Sequence, residues 1–214
     1  MTAGLWQLDR ADQKRALFSE YDLADENSVL RRLPSDSEAA DLRYQLLELS
    51  GRYQPERQVL LDNMLSEGKP GYQVLTPLIT IFGPVLVNRG WLPASADRGE
   101  LPDVAVDRSD RTLRARLDRL PRPGIRLEPT NSGDDSPLPR RLQYPDAAQL
   151  RNQLGLDLPA YQLLLLPDQP DGYLRDWRPA VMGPDKHLGY AVQWFSFTAA
   201  ILVIYFLLNI KRNS

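Results

Sequence analysis

The chain contains no cysteine and a single histidine, His187. Without cysteine, disulfide bonds, thiolate nucleophiles, iron–sulfur clusters and cysteine-bound zinc are excluded. With one histidine, a metal site built from several imidazoles is excluded as well. The sequence also lacks a Gly-x-Ser-x-Gly motif and a glycine-rich phosphate loop. Because the residues that usually carry nucleophilic and acid–base chemistry are scarce, we expect a protein that is not an enzyme.

An excess of charge of either sign is missing too. Lys and Arg total 26, Asp and Glu total 28, and the net charge is −2. Proteins that bind nucleic acids carry a strongly basic surface, so we expect no nucleic-acid partner. The 18 prolines argue against an all-helical fold, because each one removes a backbone hydrogen-bond donor.

Charged residues are also absent from a long apolar run, Leu188 to Ile210. As a helix this run would be about 34 Å long at about 1.5 Å per residue, and a bilayer's hydrocarbon core is about 30 Å thick. We therefore predict a transmembrane helix over residues 187–212. Lys211 and Arg212 follow the run, and basic residues favour the cytoplasmic side. The preceding residues are then expected in the periplasm of a bacterium, anchored to its inner membrane.

Two patterns describe the first half of the chain. Apolar residues at helical spacing predict a helix over residues 4–21. The residues expected on one side of this helix are Leu5, Leu8, Leu17 and Tyr21. Residues 42–93 are rich in β-favouring residues and predict several strands. Within them, Gly83-Pro84 fits the centre of a type II′ turn, which predicts a β-hairpin.

The second half alternates strands with short irregular segments. Leu113, Ala115 and Leu117 alternate with Arg114, Arg116 and Asp118, which predicts a strand with one face in water. Residues 124–128 are expected to pair back on it, and residues 130–139 to form a polar loop. A short helix should begin near Ala147 and end at Gly155, and residues 161–166 should form a buried strand.

Together these elements predict an α+β fold. It consists of an antiparallel, β-rich soluble domain with short helices, followed by a C-terminal transmembrane helix. The expected organisation is an N-terminal helical segment at residues 1–41, a periplasmic β-rich domain at 42–186, and the membrane helix at 187–212.

His187 is the most distinctive candidate for a site. Tyr190 and Trp194 follow it at i+3 and i+7, so the three side chains share one side of a helix. A neutral imidazole beside aromatic and apolar side chains suits an axial ligand of haem iron. The alternative is a histidine in the aromatic belt of the membrane interface, where Trp and Tyr also collect.

Four segments resemble the Surfeit locus protein family, which assembles cytochrome c oxidase. They are Gly4–Arg10 (GLWQLDR), Gly71–Leu78 (GYQVLTPL), Val85–Pro93 (VLVNRGWLP) and His187–Phe195 (HLGYAVQWF). The segments extend along the whole chain in the family's order, and the last two are long and specific.

The resemblance implies binding of haem a and its insertion into oxidase subunit I. His187 would be the ligand of the haem iron, with Tyr190 and Trp194 completing the cofactor site. The implied partners are oxidase subunit I, membrane lipid and, in addition, haem a synthase. Members of the family have two membrane helices, so a first membrane helix is expected upstream of Gly4.

Several alternatives stay open at this point. The protein could be a haem-free structural chaperone of oxidase subunits, or a membrane-anchored periplasmic hydrolase that uses His187. Asn88 and Gly90 could form an ordinary turn at a strand end, and Trp91 could belong to the core. The resemblance gives Arg89 a further role, as the counter-charge for haem propionates or a partner.

Overall fold

The computed structural model describes residues 2–22, 28–97, 99–122, 139–177 and 183–212. The chain forms two compact units. Met1–Leu23 with Trp177–Ser214 is called the helix unit here, and Ala24–Asp176 the barrel unit. The elements in chain order are α1 (Thr2–Asp22), β1 (Val29–Leu30), β2 (Leu46–Tyr53), a 3-10 turn (Pro55–Arg57), β3 (Val59–Ser66), β4 (Lys69–Thr80), β5 (Gly83–Pro93), β6 (Arg111–Arg119), β7 (Arg140–Leu142), α2 (Ala147–Leu154), β8 (Tyr161–Leu165) and α3 (Pro184–Arg212).

The C-terminal helix α3 agrees with the predicted membrane helix. Its segment Asp185–Asn209 is long and apolar enough to cross a membrane. Most of its side chains are exposed in the protein, among them Ile201, Val203 and Leu208. Apolar side chains on a helix of this length are stable when lipid surrounds them.

The N-terminal helix α1 confirms the helix predicted over residues 4–21, but its buried side differs from the predicted one. Leu5 and Leu8 are exposed, whereas Gly4 and Ala11 are buried. The side chains of Leu17 and Tyr21 lie outside the described residues. Small residues face inward because α1 packs closely against α3, and close helix approach favours small side chains.

A closed ring of five strands forms the centre of the barrel unit. Its order is β2-β6-β8-β5-β4, and three residue pairs between β2 and β4, from Gly51↔Thr80 to Tyr53↔Leu78, complete the ring. Strand β1 pairs with β2, while β3 and β7 extend the sheet beside β4. Of the pairings between the described strands, five are antiparallel and three are parallel, namely β1–β2, β3–β7 and β5–β8. The α+β class is confirmed.

The buried apolar residues form three clusters, and period-two alternation of the ring strands separates the two larger ones. Side chains from all five ring strands meet inside the ring, including Leu47, Leu78, Val87, Leu117 and Leu163. Outside it, α2 packs against the sheet. The buried residues of this second cluster include Leu61, Leu75, Leu86, Leu150 and Leu154. Asp146 caps the start of α2, where its carboxylate accepts a hydrogen bond from Gln149 N, and Gly155, with φ 60°, caps its end.

The predicted β-hairpin between β4 and β5 is confirmed, but its turn lies two residues earlier. Ile81 and Phe82 form the turn, and Gly83 pairs with Thr80. Gly83 has φ 114°, a conformation that glycine adopts without steric cost. The glycine is therefore needed at the first residue after the turn, and the turn residues Ile81 and Phe82 are exposed.

Strand β6 confirms the predicted strand with one exception. Leu113, Ala115 and Leu117 are buried as expected, but so is Arg116. The Arg116 guanidinium donates a hydrogen bond to Tyr44 O at 3.2 Å, which offsets the loss of hydration. Strand β8 confirms the strand predicted over residues 161–166. The predicted pairing of residues 124–128 and most of the predicted 130–139 loop lie outside the described residues.

Candidate functional site

His187 lies in the first turns of α3 and is half-buried. Its Nδ1 is 2.7 Å from Oε1 of Gln7, a residue of α1. This hydrogen bond joins residues 180 positions apart in the chain, within the helix unit. The imidazole is therefore held in a fixed orientation by a residue from the opposite end of the sequence.

The two aromatic residues predicted beside His187 are both exposed. Tyr190 is 47% and Trp194 46% accessible, on an uninterrupted helix that keeps the predicted i+3 and i+7 spacing. The Trp194 ring lies edge-to-face with Phe197, with ring centroids 6.3 Å apart. Their free faces give α3 an aromatic surface available to lipid or to an apolar ligand.

Close packing of α1 on α3 brings Gln7 to the imidazole. Gly4 lies so close to Phe195 that a Cβ on Gly4 would be 2.8 Å from the ring. One and two turns further along, Gln7 and Ala11 follow on the same side of α1. Ala11 is 0% and Ala191, on α3, 1% exposed. The absence of a side chain on Gly4 therefore permits the contact that orients His187.

Replacing Gly4 with leucine should separate the two helices, because its side chain has no space beside Phe195. The cysteine-free chain allows a direct measurement. A single cysteine at Ala11→Cys should react slowly with a maleimide in detergent, since that position is buried. In the Gly4→Leu background the reaction should be at least about tenfold faster, the change produced by roughly 1.4 kcal/mol less stable packing.

A cysteine at the exposed position Ala16 provides the matched control. Ala16→Cys should react quickly whether residue 4 is glycine or leucine. Equal labelling rates at position 11 in the two backgrounds would contradict the role assigned to Gly4.

Sequence reasoning missed Gln7 as part of this site. The pattern of large apolar residues predicts one side of α1, but Gly4, Gln7 and Ala11 also share a side of the helix. Small residues at i and i+7 flanking one polar residue are the signal that could have indicated this packed side.

Arg89 occupies a different place from the one the resemblance implied. It is 2% exposed, and its hydrogen bonds go to the barrel unit's own oxygens. Nε donates to Asp171 O at 2.7 Å, and Nη1 donates to Gln58 Oε1 at 2.9 Å and to Val104 O at 3.0 Å. A guanidinium buried in this way cannot reach the propionates of a haem or a partner protein. The counter-charge hypothesis for Arg89 is wrong.

Arg89 points into the ring beside a β-bulge. Two residues of β5, Arg89 and Gly90, lie opposite the single residue Val74 of β4. Arg89 shares the parity of Val85 and Val87, which point into the ring. Its guanidinium reaches the ring of Tyr53 at 5.7 Å from the centroid, a cation–π distance.

Tyr53 is an uncharged component of this cluster. Burial raises the pKa of its phenol to about 12, although the positive charges of Arg89 and Arg111 act in the opposite direction. The Arg111 guanidinium lies 4.7 Å from the same ring and pairs with Asp171. The cluster is satisfied internally and stabilises the end of the ring.

Asn88 and Trp91 also have structural contacts. Asn88 is 0% exposed in the middle of β5, and its Nδ2 donates to Gln73 at 2.9 Å and to Gln162 at 3.0 Å. The predicted turn at Asn88 is therefore wrong, because β5 continues to Pro93. The Trp91 indole packs on the outer core, and its Nε1 donates to Met64 O at 2.8 Å.

These features define a class of protein: a β-barrel unit in one chain with a helix pair whose second helix can cross a membrane. The SURF1 family profile matches residues 1–199, and the chain belongs to the SURF1 family. Members of this family are oxidase assembly factors rather than enzymes.

Several bacterial relatives agree with this assignment. Uncharacterized SURF1-like proteins of Mycobacterium tuberculosis and Mycobacterium bovis are each 30% identical to this chain, over 76% of it. The chain spans 58% of the length of each of these relatives. A SURF1-like protein of Rickettsia felis is 24% identical, over 96% of this chain and 89% of the relative.

Proposed function

We propose that this protein assists the assembly of cytochrome c oxidase by binding haem a and aiding its insertion into subunit I. The observation that carries the proposal is the position of its single histidine. His187 lies at the start of the apolar helix, half-buried and fixed by Gln7. Membership of a family of oxidase assembly factors supports the same role.

The donor set at His187 fits a haem. The hydrogen bond occupies Nδ1 and leaves Nε2 as the ring nitrogen available to a ligand. When bound, haem a would supply an iron that the imidazole of His187 would hold. Tyr190 and Trp194 offer exposed aromatic surfaces next to an apolar helix, which would cover a large apolar macrocycle.

The membrane setting belongs to the same proposal. Lys211 and Arg212 follow the apolar run, so the C-terminal end of α3 faces the cytoplasm and the barrel unit lies in the periplasm. In the bacterial inner membrane the protein would meet oxidase subunit I, lipid and haem a synthase. These surroundings give a haem donor and a haem acceptor in one membrane.

The hydrolase alternative receives no support from the contacts of His187. A triad histidine contacts a hydroxyl nucleophile through one ring nitrogen and a carboxylate through the other. Here Nδ1 contacts an amide oxygen of Gln7 instead. An amide can orient the ring, but it carries no charge to stabilise an imidazolium.

Haem occupancy tests the proposal. The full chain, produced in cells that synthesise haem a and purified in detergent, should carry haem a in a pyridine haemochrome spectrum. His187→Ala should lose most of it, because the axial ligand is gone, while circular dichroism shows an unchanged fold. Gln193→Ala, which alters an exposed polar residue of the same helix, should keep full occupancy.

Two results would change the conclusion. If His187→Ala retains full occupancy, His187 is not the ligand. If the wild-type protein never acquires haem a, the haem-free structural chaperone becomes the better interpretation.

A further inference from the structure

We propose that Gln7 is a positioning residue that fixes the tautomer and orientation of His187 for iron ligation. The inference rests on the proposed haem function and extends it to α1. Its basis is the 2.7 Å contact between Gln7 Oε1 and His187 Nδ1. The haem site is then built from both ends of the chain, with the ligand on α3 and its orienting group on α1.

The chemistry of the contact selects one tautomer. With the amide oxygen of Gln7 toward the ring, as in the structure, the amide accepts, and this orientation assigns the proton of the neutral imidazole to Nδ1. Nε2 then carries the free lone pair that a metal requires. The opposite tautomer would place two acceptors against each other at 2.7 Å, and it would block Nε2 with a proton.

Packing keeps the amide in place. Gln7 is half-buried between Gly4, one turn before it, and Ala11, one turn after it. Gly4 is in contact with Phe195, and Ala11 is fully buried. Because Gly4 and Ala11 hold α1 against α3, the packing restricts the rotamers of Gln7 and keeps its amide beside the imidazole.

A hydrogen bond to the second ring nitrogen also tunes the metal. By accepting a hydrogen bond from Nδ1–H, the Gln7 oxygen makes the imidazole a stronger electron-pair donor, and such partners are typically worth 10–100-fold in metal affinity. A carboxylate in place of the amide accepts this hydrogen bond more strongly, because it is charged. Gln7→Glu should therefore keep the ligand oriented and favour ferric iron over ferrous iron.

The test compares three variants of the full chain in detergent, each titrated with haem a and then examined by redox titration. Gln7→Leu should weaken haem a binding about 10–100-fold and raise the midpoint potential. Gln7→Glu should restore binding and lower the potential below that of the wild type. Gln13→Leu, at an exposed glutamine of the same helix that bonds Asp9, should match the wild type in both measurements.

The outcomes separate this inference from the proposed function. If neither the wild type nor His187→Ala binds haem a, the proposed function fails. If the wild type binds, His187→Ala does not, and Gln7→Leu equals the wild type in affinity and potential, Gln7 has no positioning role. Fast labelling of Ala11→Cys in the Gln7→Leu background, together with equal weakening in Gln7→Glu, would reduce Gln7 to a packing residue and overturn the inference.

Discussion

Replacing Arg89 with alanine is expected to lower the free energy of unfolding of the barrel unit more than any other substitution proposed here. The substitution removes the donor of Asp171 O and of the buried Val104 O, whereas Gln58 Oε1 still accepts from the Thr76 hydroxyl. An acceptor that loses its partner costs about 1–3 kcal/mol, so for these two acceptors the expected loss is about 2–6 kcal/mol. Single domains are stable by only roughly 5–15 kcal/mol. Urea unfolding and hydrogen exchange of peptides from β4, β5 and β8 would measure the change.

Two further arginine variants separate burial from charge. Arg114→Ala removes a half-exposed arginine that pairs with Asp168, and such surface pairs are worth about 0–1 kcal/mol. Arg89→Lys keeps the charge but loses the fork that reaches several oxygens at once, so it should be intermediate. If Arg89→Ala were as stable as Arg114→Ala, the internal role of Arg89 would be refuted.

Replacing Gly90 with alanine should be the second most damaging change. Gly90 has φ 113°, where a side chain is strained by roughly 1–3 kcal/mol. A Cβ would also lie 2.7 Å from Leu174 O, a backbone atom that cannot yield cheaply. The clash should break the bridge in which Trp91 N donates to Leu174 O at 2.8 Å. Hydrogen exchange at Trp91 and Leu174 should therefore accelerate more than in the ring interior.

Gly83 provides a close internal control for Gly90. Its φ of 114° matches that of Gly90, but a Cβ on Gly83 would meet nothing within 4 Å. Gly83→Ala therefore measures the backbone strain alone, and the difference between the two variants measures the clash. Equal free energies of unfolding for Gly83→Ala and Gly90→Ala would show that the contact with Leu174 is unimportant.

The most recognisable family segment of this chain, Val85–Pro93, is therefore a structural motif. Asn88 ties β5 to its two neighbours, Arg89 fills the end of the ring, and Gly90 admits the segment around Leu174. Its side chains contact the barrel unit itself. Substitutions here should act on stability first, whatever ligand the protein binds.

The local sequence pattern was sufficient to predict those elements that carry their own signal in neighbouring residues. The apolar run of α3, the capped helix α2 and the mostly apolar strand β8 each carry their own signal of period, cap or length. The antiparallel character of the sheet also followed from alternation and from the hairpin. Ring closure did not, because pairing between distant strands leaves no local signal.

Buried polar residues were the main source of error in the barrel unit. Arginine is typical of a solvent-facing strand position and asparagine of a turn. Arg116 and Asn88 are nevertheless buried and hydrogen-bonded inside the sheet. Whether a polar side chain is buried depends on partners elsewhere in the sequence, such as Tyr44 for Arg116. No window of neighbouring residues contains that information.

The sequence predicted the part of the candidate site that lies on one helix, but not the part contributed by a distant segment. His187, Tyr190 and Trp194 share one helix, so their spacing could be read from the sequence. Gln7 belongs to another helix and contacts His187 only after α1 and α3 pack. Binding of haem a by these residues stays a prediction until occupancy is measured.

The strand order of the barrel unit also constrains the time course of folding. Strand β8 lies between β5 and β6 in the ring, and its Gln162 reaches Asn88 across 74 positions of sequence. Contacts of such long range form slowly, because the chain must first close a large loop. Until residues 161–165 emerge from the ribosome, β5 and β6 present unpaired edges that can pair with other chains. A nascent chain arrested before β8 is therefore the form of this protein that most needs a chaperone.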